Sequence, residues 1–327
     1  MTGFSVELRG VGVTFDRPAL HDVDLTLAPG VVHGLLGRNG SGKTTLLSLL
    51  AAFRRPTRGM VLVDGEDPFE NERVLEGTCF VRESGDVLGD EKLTINLDFQ
   101  ASMRPGFDRD FAERLLDEFE VPLRTKLDDL SRGQKSAVGA SFGLAARAPL
   151  TILDEVYLGM DAPSRYRFYQ ALLVDYVEHP RTIVLSSHLI GELDRVLEHV
   201  TILHRGGLLL SDSAESLQAR GSTLTGAATS VAAVVDQLGI DVLARTDLGG
   251  TAQVTFVGAL GKDAHELVRA AGLELGPVPL QDLFVHLTDR KAAAPTPDAP
   301  DAGPAAAAPP AAAPPTTEPR RTKEADR

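Results

Sequence analysis

The chain has 327 residues, 43% of them hydrophobic, and a formal net charge of −13 at pH 7. That length holds one large or two modest domains with ample core, while the acidic balance opposes non-specific nucleic-acid binding, which needs a basic footprint. There is no run of about 18 apolar residues to span a bilayer and no signal-peptide order at the N-terminus, and the single cysteine, Cys79, excludes an internal disulfide framework and fits a reducing compartment.

In chain order, "SVELRGVGVTF" and "ALHDVDLTL" alternate apolar and polar residues as half-buried strands do, with "DRP" as the turn between them. "VVHGLLG" is a short apolar strand entering a Gly-rich turn, and "SGKTTLLSLLAAF" starts a helix directly after it. "GMVLVDG" reads as a further strand. From about Ser84 to Ala146 the pattern is mostly helical, through "TINLDFQASM", "RDFAERLLDEF" and "GQKSAVGASFGLAARA". "LTILDE" and "TIVLSSH" are apolar, β-branched runs on either side of the helical "APSRYRFYQALLVDYVEH". That alternation predicts buried parallel strands with crossover helices. "VTILHRGGLLLSD" predicts a hairpin that closes the domain, so the first unit spans residues 1–220.

The pattern then resets. Residues 221–290 contain two amphipathic helices, "TSVAAVVDQLG" and "KDAHELVRAAG", and two strands, "IDVLART" and "AQVTFVG", around a Gly-Gly turn. They predict a small α+β accessory domain without concentrated chemistry. Residues 291–327 are rich in Ala and Pro and cannot bury enough apolar surface to fold, so a disordered tail is expected there.

The chemistry begins at "GRNGSGKTT": Gly37, Arg38, Asn39, Gly40, Ser41, Gly42, Lys43, Thr44 and Thr45 fit G-x-x-x-x-G-K-[ST] between a strand and a helix. The glycines let backbone N–H groups turn inward around phosphate oxygens, and the helix N-terminus adds its positive dipole. Lys43 is placed to reach the β- and γ-phosphates, and the Thr44 hydroxyl to meet Mg²⁺. "LTILDE" sets Asp154 and Glu155 at the end of a buried strand. The first can hold Mg²⁺, in large part through water, and the second can orient and polarise an attacking water.

Five motifs now stand in order: Gly37–Thr45, "LSRGQ" at 130–134, "ILDE" at 152–155, "GMD" at 159–161 and "SSH" at 186–188. In order and spacing they resemble the ATP-binding subunits of ABC transporters over about residues 4–220. The resemblance implies an α/β fold: a P-loop NTPase core of ABC type with a parallel sheet, an antiparallel β-subdomain and a helical subdomain. It also implies ATP and Mg²⁺ as cofactors and ATP hydrolysis as the reaction. "LSRGQ" is similar to the family's signature sequence, with Arg132 where Gly is commoner. In the family this segment is offered to the nucleotide of the opposite subunit. Ser131 would then donate to a γ-phosphate oxygen, Gly133 would bring a backbone N–H close, and Arg132 and Gln134 would complete the segment. The same resemblance assigns His188 to the γ-phosphate and the attacking water, Asp161 to a loop crossing the dimer interface, and Phe15 to stacking on adenine.

Two departures from the family pattern stand out. Glu83 occupies the position of a Gln that joins Mg²⁺ and water to the surface facing the membrane subunit, and it keeps a hard oxygen while adding charge. "DEVYLGMD" replaces the commoner "DEPTNGLD", which leaves Tyr157 without an assigned role.

The implied function is the ATPase subunit of a bacterial ABC transporter, of exporter-like build, on the cytoplasmic face of the membrane. Its partners would be a second copy of itself, or a homologous subunit, and an integral membrane permease; no nucleic acid is expected. The alternative is a soluble ABC-type ATPase not coupled to transport. Against it, residues 45–130 leave no room for the long coiled coil of chromosome and repair types, and a single phosphate loop departs from the paired cores of ribosome-associated types.

Overall fold

Alternating segments pair at the surface and continuous apolar segments pair in the interior. In the computed structural model, which describes residues 3–82, 88–188, 190–193, 196–258 and 260–285, β1 (Val6–Thr14) and β2 (Pro18–Leu27) form an antiparallel hairpin. β3 (Val32–Leu36) leads through the Gly-rich turn into α1 (Lys43–Leu50), and β4 (Arg58–Val63) returns to pair with β1. α2 (Glu72–Glu76) and β5 (Thr78–Arg82) precede the helical layer of α3 (Leu93–Met103), α4 (Arg109–Glu118) and α5 (Arg132–Ala145). β6 (Leu150–Asp154), α6 (Ala162–Glu178), β7 (Thr182–Ser187) and α7 (Ile190–Leu193) follow. The first unit ends with the hairpin β8 (His199–His204) and β9 (Gly207–Ser213) and then α8 (Ala214–Gln218).

Among the described residues, β5-β6-β7-β3-β8-β9 is the order of the central sheet, parallel except for β9. Every residue of β3, β6 and β7 is buried, as befits strands covered on both faces. β7 lies between β3 and β6, so the segments leaving all three emerge side by side at the carboxyl edge, where open α/β sheets bind ligands. One face of the sheet packs on α1 and the separate β2-β1-β4 sheet, through Leu46, Leu47, Leu50, Val184 and Val63. The other face packs on the helical layer and α6, through Leu97, Leu116, Phe142, Phe168 and Leu172. A buried ion cluster pins that layer: Arg181 sits 2.7 Å from Asp175, and Arg147 reaches both Asp175 (3.1 Å) and Asp108 (2.9 Å), the N-cap of α4.

Residues 221–277 build a unit with its own apolar cluster of Leu224, Val231, Val254, Phe256 and Val268. Its order is β10 (Gly221–Ala227), α9 (Ala228–Leu238), β11 (Val242–Leu248), β12 (Thr251–Val257), α10 (Lys262–Ala270) and β13 (Glu274–Pro277). The antiparallel sheet β11-β12-β10-β13 makes this a split β-α-β arrangement. β10 and β13 lack the pattern of strands in the sequence: "GSTLTGA" carries two glycines and "ELGP" is short. The chain then turns back, and Val278, Leu280, Leu283 and Phe284 enter the core of the first unit. The expected tail, residues 291–327, lies outside the described residues.

Candidate functional site

The loop between β3 and α1 is shaped by backbone that only glycine adopts readily. Gly42, which caps α1, has φ 102°, and a Cβ there would lie 2.6 Å from Leu20 Cδ2 and 2.9 Å from the Ala19 carbonyl. The loop borders a 350 Å³ cleft lined by Asn39 to Thr45 together with Ala19 and Glu155. Lys43 is buried, so its charge needs partners. Its Nζ donates to the Gly37 carbonyl at 2.8 Å and lies 3.2 Å from Glu155 Oε1.

Asp154 ends β6 directly opposite Ser186 on β7. Its Oδ2 accepts the Thr44 hydroxyl at 2.8 Å, and its Oδ1 accepts the Ser186 hydroxyl. The Ser186 oxygen in turn accepts the Glu155 N–H at 3.0 Å. Glu155 stands at φ 50°, the left-handed region that costs a non-glycine residue free energy and marks a constrained turn. That turn carries its carboxylate back over the loop, where Oε2 meets His188 Nδ1 at 3.2 Å while Oε1 faces Lys43. Glu155 therefore joins the phosphate loop to the strand-end histidine. The Thr44 hydroxyl and the Asp154 carboxylate are adjacent hard oxygen donors, the set that suits Mg²⁺. Among the described residues no group of three or more His, Cys, Asp or Glu could hold a metal ion by itself. Glu83 lies outside the described residues.

The residues of "LSRGQ" start α5. Ser131 is its N-cap in a capping box: Ser131 Oγ accepts the Gln134 N–H at 3.2 Å, and Gln134 Oε1 accepts the Ser131 N–H at 3.1 Å. The cap uses the acceptor side of an exposed hydroxyl and leaves its donor proton available. Gly133 packs on the turn after β6, where a Cβ would approach the Gly159 carbonyl to 2.8 Å, and the Ser136 hydroxyl donates to the Leu158 carbonyl in the same turn. Arg132 lines a second cleft, of 520 Å³, with Arg82, Lys135, Thr44, Asp154 and Glu155. Ser131, Gly133 and Gln134 line neither cleft. Asp161 caps α6 by accepting the Ser164 N–H at 2.9 Å; bonds from the Ser164 side chain and backbone hold its carboxyl below the usual range. Phe15 stands apart, 50% exposed in the turn after β1, with the Arg54 guanidinium 4.2 Å above its ring. The roles of Ser186 and Tyr157 escaped sequence reasoning; the available signal was a pair of hydroxyls, Ser186 and Ser187, ending an otherwise apolar strand.

The sequence and the fold have relatives. The family described as "ABC transporter" matches residues 20–157. The ABC transporter ATP-binding protein YtrB of Bacillus subtilis is 30% identical over 204 residues, which are 62% of this chain and 70% of that protein. The putative ABC transporter ATP-binding protein AlbC of the same organism is 32% identical over 212 residues, 61% of this chain and 87% of that one. In fold, the dimeric post-hydrolysis structure of the ATP-binding cassette MJ0796 with ADP and Pi matches 64% of this chain and 98% of its own, at TM-score 0.57 and 21% identity. The structure of an ATP-binding subunit of an ABC transporter matches 65% and 91%, at TM-score 0.58 and 23% identity. The chain belongs to the ATP-binding proteins of the ABC transporter family, and it is an ATPase.

Proposed function

We propose that two copies of this ATPase close head to tail on two ATP molecules, and that the closure drives a membrane permease. The observation that carries this reading is the placement of Ser131 and Gly133. They start a long helix as an anion-ready N-terminus, yet they line neither cleft beside their own phosphate loop. A nucleotide bound on a facing copy gives them a ligand.

In this reading the Gly37–Thr45 backbone and Lys43 hold the β- and γ-phosphates, and Phe15 offers adenine the ring face away from Arg54. Thr44 and Asp154 would hold Mg²⁺, with Glu83 reaching it in the closed pair. Bound there, Mg²⁺ would supply positive charge against the negative charge of phosphoryl transfer. Glu155 orients the attacking water, and His188, aligned by Glu155, contacts the γ-phosphate. Asp161 fixes the turn that faces the other copy.

Coupling to a permease is supported by α3. Leu93, Asn96 and Leu97 are buried, whereas Ile95, Phe99 and Met103, at i, i+4 and i+8, are 43%, 42% and 64% exposed. A second apolar stripe on one helix signals a partner. Among the described residues no helix is long and apolar enough to cross a membrane; in this reading the membrane-spanning part is the permease's, with the ATPase on its cytoplasmic face. We take the direction as export, because the small α+β unit and the tail after the ATPase domain resemble those of subunits serving exporters.

The pairing is tested by mixing two inactive variants. Lys43→Ala should lose nucleotide binding, and Ser131→Arg should keep it but lose turnover. In a mixed pair, the loop of the Ser131→Arg copy meets an intact Ser131 from its mate, so ATPase activity should return on mixing. Absence of recovery at every ratio, with both variants folded, would contradict the shared site.

A further inference from the structure

Tyr157 is the departure from the family pattern that the reading above does not use. It sits in the turn after β6, two residues beyond Glu155, and is 3% exposed. A buried phenol needs partners for its hydroxyl, and Tyr157 finds them across the sheet edge. Its hydroxyl shares a hydrogen bond with Ser187 Oγ at 2.8 Å and accepts the His188 backbone N–H at 3.3 Å. The ring also lies beside the imidazole, with centroids 6.4 Å apart.

The strand ladder explains why His188 needs this. β6 pairs with β7 as far as Asp154 opposite Ser186, and β7 ends one residue later at Ser187. His188 is the first residue past the strand, so its N–H has lost the regular partner that fixes strand backbone. The Tyr157 hydroxyl replaces that partner. Meanwhile the neighbouring Ser186 is tied to Asp154 and to the Glu155 N–H. The two serines that end β7 thus clasp the turn after β6 at two points, and the imidazole beyond them meets Glu155 at 3.2 Å. A threonine, the commoner residue, has its hydroxyl on Cβ and cannot bridge the width of a tyrosine ring.

We propose that Tyr157 is a positioning residue: its hydroxyl fixes the His188 backbone so that the imidazole stays on Glu155 through turnover. The inference rests on His188 acting at the γ-phosphate. Turn and histidine are also linked to α5, since Ser136 holds Leu158 of the same turn. Tyr157 thereby connects the start of α5 to the histidine of the same chain.

The test is a double-mutant cycle on the full chain, measuring kcat and KM for Mg-ATP and nucleotide affinity separately. Tyr157→Phe keeps the ring and removes the hydroxyl. It should lower kcat about tenfold, leave KM and nucleotide affinity within about twofold, and leave the thermal midpoint of the ATP-bound protein close to that of the parent. Ser187→Ala breaks the same bridge from the other side and should give a similar loss. Adding Tyr157→Phe to Ser187→Ala, or to His188→Ala, should cost nothing more. Unchanged kcat in Tyr157→Phe, or an additive loss in the His188→Ala background, would overturn the positioning role while leaving the site reading intact. Full activity of His188→Ala by itself would overturn that reading, and the positioning role with it.

Discussion

His33 and His188 are the same side chain put to opposite uses by their surroundings. His188 ends a strand at the carboxyl edge of the sheet, within reach of a carboxylate and of solvent. His33, near the start of β3, is buried; its Nε2–H donates to the Ala28 carbonyl at 2.8 Å, and Nδ1 has no hydrogen-bond partner among the described residues. Protonation there would bury an N–H without an acceptor. Burial therefore pushes the His33 pKa down to about 4; the neighbouring His199 adds to this, and the Ala28 carbonyl and Glu198 oppose it. The unfolded chain takes up this proton near the ordinary value of 6.5 and the folded chain only near 4. Between those values the unfolded state binds more protons, so stability is complete above about pH 6.5 and falls as pH is lowered. Between pH 7.5 and 5 the loss from this one group is roughly 2 kcal/mol. Urea unfolding at both pH values should show it in the parent and largely lack it in His33→Gln, which keeps a donor for Ala28 but does not titrate. Equal losses in the two proteins would show that His33 is not the source.

At the scale of elements, the decisive contact is between the start of α5 and the turn after β6. Gly133 faces the Gly159 carbonyl, and Gly159 itself sits at φ 98°. Backbone against backbone leaves no side chain to give way. Gly133→Ala should therefore force α5 off the turn and destabilise the protein by about 1–3 kcal/mol, the usual range for overpacking. Chemical denaturation of the variant checks this; a neutral result would mean the turn moves freely. Elements of this kind differ in how far the sequence announces them. β3, β6 and β7 are legible because burial on both faces leaves an unbroken apolar run, and the phosphate loop because its glycines answer to a local backbone need. Asp154 and Glu155 are legible for the same reason, at the end of such a run. β5, β10 and β13 are not, since "TCFVR" is brief and the other two draw their strand character from neighbours in the sheet rather than from their own residues. Tyr157 is illegible for a further reason: its partners Ser187 and His188 lie about thirty positions away and meet it only because β6 and β7 are parallel neighbours.

For the whole molecule, the question is whether the accessory unit is an appendage or part of the ATPase. The covalent path leaves the first unit at α8 and returns to it at Val278. Val278, Leu280, Leu283 and Phe284 share one core with Leu193, Val196, Leu197, Ala214 and Leu217. A Cβ added to Gly191, in α7, would lie 2.8 Å from Gln281 Oε1, so this returning segment rests on the helix that follows His188. The accessory unit's own core, around Phe256, is separate. Leu283→Ala and Phe256→Ala therefore remove buried side chains of the same polypeptide but from different cores, each at a cost of roughly 2–5 kcal/mol. ATP with Mg²⁺ raises the melting temperature only of the unit that binds it. Leu283→Ala should lower that ATP-sensitive transition by several degrees, whereas Phe256→Ala should leave it in place and affect a transition that ATP does not move. If Leu283→Ala left the ATP-sensitive transition where it was, the returning segment would be lying on the ATPase core without stabilising it.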